Sequence, residues 1–409
     1  MFRPSKHHNP YRWLIAGVIL ILVAAYIAAC LLLPLRALTA EQSDITLKIT
    51  TPESNLPWPQ YGQEAVGLSD GTVVYSHGQQ TPMPIASVAK LITALAVLSK
   101  YPLSLGQSGP MITIDATDYG YYTTYIAEQG SVVPVYTGEQ LSEYDMLQAM
   151  LVPSGNNIAD ALARWAFGSL NAYDTFANGF VKNLGLKHTH VAVDASGYSP
   201  ATTSTANDLI RIGGLVMANP VLAQIVGQKS VNVPNVGTET NYDTLIGTDG
   251  ISGIKTGNSN QAGGVFLASA KTIVNGQSTM VLTVVMGAPT LNQALTNTIP
   301  LVIAVTHDFT QAVLIHQGEV LGYYKEPWGG TVPVEAANNL FTYVLEGEAV
   351  KAVLHIGKLS PKAIAGTDVG KVTTQSTQLS KSQSIPIITQ NTASKPSWEW
   401  RLLHPQAIL

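Results

Sequence analysis

Hydrophobic positions change rhythm three times along the chain. The first pattern is continuous: Leu14 to Leu33 reads LIAGVILILVAAYIAACLLL, twenty residues without a charge, long enough to cross a bilayer core as a helix. Polar, proline-dotted sequence from Leu38 to Pro59 follows and reads as a tether. Asp70-Gly71, set between Ala65-Val66-Gly67-Leu68 and Thr72-Val73-Val74-Tyr75, is a hairpin signal. After Pro82 and Pro84 the run Leu91 to Leu98 is rich in helix formers and predicts a buried helix. Ser142-Glu143-Tyr144-Asp145 reads as a capping box opening a helix from Met146 to Leu151, and Ile158–Trp165 and Asp208–Met217 carry further helical patterns. Ala262 to Ala270 and Met280 to Gly287 are β-branched runs broken by Gly and Asn, as in adjacent antiparallel strands. Strands near 62–76 and 254–286 therefore flank a helical centre near 87–225 and join one antiparallel sheet, an α/β arrangement with a helical subdomain.

Beyond about Ala312 the rhythm shortens. Ala312–Ile315, Gly330–Val334, Phe341–Leu345, Lys351–Ile356 and Gly370–Thr373 are short strands parted by turn residues and predict a small β-rich domain. From Thr374 to Lys395 the chain is rich in Ser, Thr and Gln and reads as flexible, with Ile385-Pro386-Ile387-Ile388 as one further candidate strand. Trp398, Trp400 and Arg401 suit a membrane interface, but Pro405 ends that helix after barely two turns.

Composition narrows the classes. The 409 residues, 46% of them apolar, suffice for two domains with packed cores. A net charge of −4 without a basic patch argues against a nucleic-acid partner. Cys30 is the only cysteine, so no intrachain disulfide and no cysteine-based metal site can form. The nine histidines, His188 and His190 among them, show no ligand pattern, and no cofactor is implied. Arg3, Lys6 and Arg12 precede the apolar run and Arg36 follows it, which sets the N-terminus in the cytoplasm and the rest outside. The run exceeds a usual signal-peptide core, Leu38-Thr39-Ala40 is a poor cleavage site, and Leu31-Leu32-Leu33 after Cys30 is wrong for a lipoprotein, so a retained single-pass anchor is the favoured reading.

Three short motifs stand in a fixed order: Ser87-Val88-Ala89-Lys90, Ser154-Gly155-Asn156 and Lys255-Thr256-Gly257. Taken singly they read as a helix cap with a surface lysine, a Ser-Gly-Asn turn and a β-turn. Together they are the S-x-x-K, S-x-N and K-T-G set of penicillin-interacting serine enzymes. A serine at the start of a buried helix lies by unpaired N–H groups, and a lysine three residues on shares its face. That lysine can act as a base only if burial or a second cation such as Lys255 lowers its pKa.

With Asp70–Tyr75, Ser204–Leu209 and Gly253–Gly257 with its trailing Ala262-Gly263, the chain resembles the serine-type D-alanyl-D-alanine carboxypeptidases, low-molecular-mass penicillin-binding proteins of the S11 kind. The likeness runs from about Leu56 to Thr310 and more weakly to about Thr373. It implies a transpeptidase/β-lactamase-like antiparallel sheet flanked by helices, and removal of the terminal D-alanine from peptidoglycan stem peptides through an acyl-enzyme on Ser87. By the resemblance, Lys90 is the general base, Ser154 and Asn156 assist proton transfer and positioning, and Lys255 and Thr256 of the Lys255-Thr256-Gly257 motif bind the substrate carboxylate. The N–H groups of Ser87 and Asn258 would form the oxyanion hole, and β-lactams would be covalent inhibitors. The expected organisation is a cytoplasmic tail at 1–13, an anchor at 14–33, a linker at 34–59, a catalytic domain at 60–310, a β-rich domain at 311–374 and a flexible tail at 375–409. The β-rich domain would hold the enzyme off the cytoplasmic membrane or contact other wall proteins.

Two departures from such relatives stand out: Gly287 to Ala294 holds no basic residue to help with the carboxylate, and Asn258-Ser259-Asn260-Gln261 is uncharged. A D,D-endopeptidase and a β-lactamase use the same residues. Against the latter, Gly155 stands where class A β-lactamases carry aspartate, and no Glu-x-x-Leu-Asn loop lies between Asn156 and Lys255. A non-catalytic penicillin-fold binding module is the reading from another class.

Overall fold

The computed structural model describes residues 11–41, 47–50, 56–71, 74–192, 194–274, 277–345, 349–375 and 383–408. Most of the expected cytoplasmic tail, and parts of the expected linker and C-terminal tail, lie outside these residues.

The larger unit is built on a five-stranded antiparallel sheet in the order Ile251–Ser259, Gly263–Val274, Gln277–Ala288, Gln63–Leu68, Val74–His77. The strand Gln63–Leu68 is buried throughout because both faces of the sheet are covered. Ala65, Leu267, Leu282, Val284 and Met286 enter the core shared with the helices, while Val66, Leu68, Phe266 and Val285 pack with the helix Leu291–Asp308. The two-residue period of the strands produces this division, and the register Lys255↔Leu267, Thr256↔Phe266, Gly257↔Val265 fixes which motif residues share a face. The strands expected near 62–76 and 254–286 thus form one sheet, with the turn at Asp70-Gly71 closed by the Gly71 N–H donating to the Leu68 carbonyl.

On one side lies the helical subdomain. Lys90–Lys100 runs through its core and presents Leu91, Ile92, Ala94, Val97 and Leu98 inward. The capping box at Ser142 is present, with Asp145 N–H donating to Ser142 Oγ at 3.1 Å, and its helix starts earlier than expected, at Glu143. A second capping box, Asp115 with Asp118, opens the helix Ala116–Ala127.

The C-terminal region has its own core, including Val332, Val334, Leu354, Val372 and Ile387. Each of the five expected short strands lies on one found here, Val320–Lys325 adds to them, and Ser384–Thr389 contains the further candidate Ile385–Ile388, so this part of the stretch expected to be flexible is a paired strand of the sheet. The seven-stranded sheet is edged by Ala40–Glu41 and Leu47–Thr50. Both come from the stretch read as a tether, which is thereby drawn into the β-rich domain through pairing with Tyr323 and Tyr324 on one edge and with residues 349–352 on the other.

Among the described residues one helix, Tyr11–Leu32, is long and apolar enough to cross a membrane, and its most apolar stretch is only 6% buried. Its C-terminal end meets the helix Trp398–Leu403. Arg401 Nε donates to the Cys30 carbonyl at 2.6 Å and its guanidinium also reaches the Leu33 carbonyl, satisfying oxygens that a helix terminus leaves unpaired. Tyr26 donates to the Leu402 carbonyl at 2.6 Å, and Trp400 packs edge-on to Trp328 of the β-rich domain.

Candidate active site

The serine turn is set by its neighbours. Met83–Pro84 pairs with Thr203–Ser204, and Ala86 then takes φ +46°, a left-handed conformation uncommon for a residue with a Cβ. Ser87 follows in a 3-10 turn, Ala86–Ala89, that runs into the helix beginning at Lys90. The expectation of an α-helical start is modified here in a useful way. A 3-10 turn has three residues per turn, so positions i and i+3 eclipse, and Lys90 Nζ lies 2.8 Å from Ser87 Oγ.

Lys90 is fully buried, and its Nζ also meets Asn156 Oδ1 at 2.7 Å and the Ser196 carbonyl at 3.2 Å. Burial drives its pKa well below that of a free lysine, the positive charge of Lys255 pushes the same way, and Asp194 and Asp160 partly oppose them. A neutral amine has two N–H bonds and one lone pair. With two carbonyl-type acceptors taking the hydrogens, the lone pair is left for the Ser87 hydroxyl proton.

The second motif reaches this pair from the loop between Glu143–Leu151 and Asn156–Phe167. Ser154 has φ +64°, and Gly155 is so enclosed that a Cβ would stand 3.0 Å from the Ala149 carbonyl oxygen, Ile158 Cγ1 and Val133 Cγ2. Asn156 N–H donates to the Ser131 carbonyl at 2.8 Å, and Asn157 holds Val133 through bonds to both its N–H and its carbonyl. These bonds tie the motif to the opposite wall.

The third motif lies on the edge strand of the sheet. A Cβ on Gly257 would lie 3.2 Å from the Ser87 nitrogen, so the strand passes directly against the serine turn. Lys255 is 1% exposed, its pKa is pushed down to about 7 by burial, with Asp243 opposing, and its Nζ has no hydrogen-bond partner among the described residues. Ser87, Ser154, Asn156, Thr256, Gly257 and Asn258 line one cavity of about 550 Å³. Lys90 and Lys255 are buried beside it, so the candidate catalytic and substrate-binding residues of the three motifs gather at this place together with Asn258. No basic side chain is among the lining residues, and the uncharged Asn258-Ser259-Asn260-Gln261 turn forms one rim.

Other residues here carry no motif. Asp194 Oδ1 accepts from the N–H of Ser196 and Tyr198 and from Ser196 Oγ, and its Oδ2 accepts from the Ser199 N–H. Asp160 accepts from Ala195 N–H at 2.8 Å and from the Tyr125 hydroxyl at 2.8 Å. Together they fix the Ser196 carbonyl against Lys90. Gly197 adjoins it with φ +74°, where a Cβ would stand 2.2 Å from the Ala86 carbonyl oxygen. The only local signal was the Asp-Ala-Ser-Gly sequence of a turn.

A covered antiparallel sheet with a serine–lysine pair, an S-x-N loop and a K-T-G edge strand around one cavity is the arrangement expected of the penicillin-interacting class. The chain belongs to the D-alanyl-D-alanine carboxypeptidase family, peptidase family S11, whose model matches residues 65–290. Among curated relatives, a D-alanyl-D-alanine endopeptidase of Pseudomonas aeruginosa is 32% identical over 192 residues, 44% of this chain and 58% of that protein. The D-alanyl-D-alanine carboxypeptidase DacB2 of Mycobacterium tuberculosis is 30% identical over 50% of this chain and 67% of its own length. The chain thus spans roughly three fifths to two thirds of the length of these relatives. In fold it is similar to penicillin binding protein 5 of Haemophilus influenzae, with a TM-score of 0.61 at 22% identity over 81% of this chain and 97% of that one. DacD of Francisella tularensis gives a TM-score of 0.62 at 18% identity over 87% and 97%.

Proposed function

We propose that the protein is a serine D-Ala-D-Ala carboxypeptidase that trims peptidoglycan stem peptides. The observation that carries this reading is the contact of buried Lys90 with Ser87 Oγ at 2.8 Å. Ser87 Oγ attacks the carbonyl carbon of the penultimate D-alanine while Lys90 takes its proton. The N–H groups of Ser87 and Asn258 stabilise the oxyanion. Ser154 relays the proton to the departing D-alanine nitrogen, Asn156 positions the substrate backbone, and Lys255 and Thr256 hold the terminal carboxylate beside Gly257. Water then cleaves the ester, releasing the shortened peptide and restoring the Ser87 hydroxyl.

The helix Tyr11–Leu32 anchors the enzyme in the cytoplasmic membrane with its N-terminus inside, as the positive charges before it favour. The clasp between Arg401 and the end of this helix supports its retention in the mature protein. A D,D-endopeptidase activity of the same residues is the second reading, favoured by the name of the Pseudomonas aeruginosa relative. Incubation with a pentapeptide ending in D-Ala-D-Ala and, separately, with a cross-linked muropeptide tests the choice. Release of free D-alanine from the first supports the carboxypeptidase. Cleavage of the second alone replaces it by the endopeptidase.

A further inference from the structure

Asp243 lies in the turn that precedes the K-T-G strand. Its neighbour Tyr242 lines the cavity and is 49% exposed, whereas Asp243 turns inward and is 2% exposed. The residue is held on one side only: its backbone N–H donates to Asn241 Oδ1 at 2.9 Å, and its Oδ1 accepts from Leu245 N–H at 2.9 Å. Asp243 Oδ2 and Lys255 Nζ are both buried, and neither has a hydrogen-bond partner among the described residues. Isolated buried charges are so costly that folded proteins compensate them. Their chain neighbours Tyr242 and Thr256 line the same cavity, and the two groups, of opposite sign, are not hydrogen-bonded to each other.

The acids around the two lysines divide their work. Asp160 and Asp194 act on Lys90, whereas the carboxylate that acts on Lys255 is Asp243. In the adjacent strand Lys255 stands opposite the apolar Leu267, and the charge of Lys90 across the site would add repulsion. We propose that Asp243 is a positioning residue of this enzyme: it is the buried counter-charge that keeps Lys255 an ammonium ion, ready for an anionic group of the substrate. The identity of that anion, the terminal carboxylate, rests on the carboxypeptidase reading. The role of Asp243 as counter-charge does not.

Two effects result. An ammonium makes a charge-assisted hydrogen bond to carboxylate about twice as strong as a neutral amine would. A charged Lys255 also helps keep Lys90 neutral. One acid therefore maintains the opposite protonation states of two lysines, one for binding and one for proton transfer.

The test is a titration of the full chain in detergent, with lysine labelled at 13Cε and aspartate at 13Cγ, for the wild type and for Asp243→Asn and Asp243→Glu. Lys255→Met identifies the Lys255 resonance. With Asp243→Asn, the Lys255 midpoint is expected to fall by about one pH unit, tenfold in the protonation equilibrium, while Asp243→Glu stays near the wild type. The KM for a D-Ala-D-Ala peptide at neutral pH is expected to rise about tenfold in Asp243→Asn, with kcat less affected. An unchanged Lys255 midpoint in folded Asp243→Asn overturns the proposal. If that variant does not fold, Lys255→Met decides: the Asp243 carboxyl must then titrate at higher pH than in the wild type, and an unchanged carboxyl titration overturns the proposal equally. A wild type that releases no D-alanine refutes the carboxypeptidase reading alone, and the lysine titration still decides the role of Asp243.

Discussion

A Cβ placed on Gly257 would stand 2.8 Å from the carbonyl oxygen of Ile85, so the K-T-G strand and the serine turn touch through a contact only glycine permits. The Ile85 oxygen and the Ser87 nitrogen at that point are backbone and cannot rotate away. Gly257→Ala is therefore expected to force the strand and Ser87 apart. Displacements of about 1 Å at a reacting centre cost on the order of 100-fold in rate. The acylation rate by a β-lactam should fall by about that factor while the thermal transition stays cooperative. An unaltered rate would show that the strand does not set the position of the serine.

Lys90 is expected to matter through its lone pair rather than its charge. Lys90→Met keeps an apolar stem but removes the base, and a fall of roughly 10² to 10⁴ in acylation is expected for the loss of a general base. Lys90→Arg keeps a cation that stays protonated, so it should not restore the rate. Acylation restored by arginine would argue for an electrostatic role instead.

Gly155 tests the β-lactamase reading. Its ideal Cβ already lies 3.0 Å from three atoms. Gly155→Asp, the residue of class A β-lactamases, is expected to destabilise the protein by about 1 to 3 kcal/mol through overpacking. It should bring no turnover of penicillin. Denaturant unfolding together with a nitrocefin assay measures both.

Glu143 gives a pH signature remote from the motifs. It is fully buried at the start of its helix, neither carboxylate oxygen has a partner among the described residues, and burial raises its pKa from 4.5 to about 7. Its carboxylate therefore costs nothing below the unfolded value. The cost grows as the pH rises from 4.5 to about 7 and is complete above that. Glu143→Gln should stabilise the protein above pH 7 by on the order of 1 to 3 kcal/mol, the usual penalty of an unpaired buried group. Near pH 4 it should be neutral. Thermal unfolding at the two pH values shows whether the gain grows with pH.

The candidate site residues were legible in the sequence, and the residues packed around them were not. Ser87, Lys90, Ser154, Asn156, Lys255, Thr256 and Gly257 stand in motifs whose proposed chemistry needs particular residue types at short spacings, and Asn258 came only with the family resemblance. Asp160, Asp194, Ser196 and Asp243 stand in no motif, because their roles arise from packing between distant segments; Asp160 and Ala195 meet across 35 positions. The helix Leu291–Asp308 carries Pro300 and a scatter of Asn and Thr that blur its period. Ala40–Glu41 is two residues long and pairs with Tyr323 and Tyr324, a register no local pattern could reveal. The main sheet was readable because its strands are long, β-branched and broken by glycine.

The proposed chemistry stands on an acyl-enzyme at Ser87 with D-alanine as the product. Treating the wild type and Ser87→Ala with a fluorescent penicillin and, in parallel, with a D-Ala-D-Ala pentapeptide, while following covalent label and free D-alanine, examines both at once. Stable labelling and D-alanine release are expected in the wild type, and neither in Ser87→Ala. A folded wild type that takes no label and releases nothing would refute the serine mechanism and favour a non-catalytic binding module.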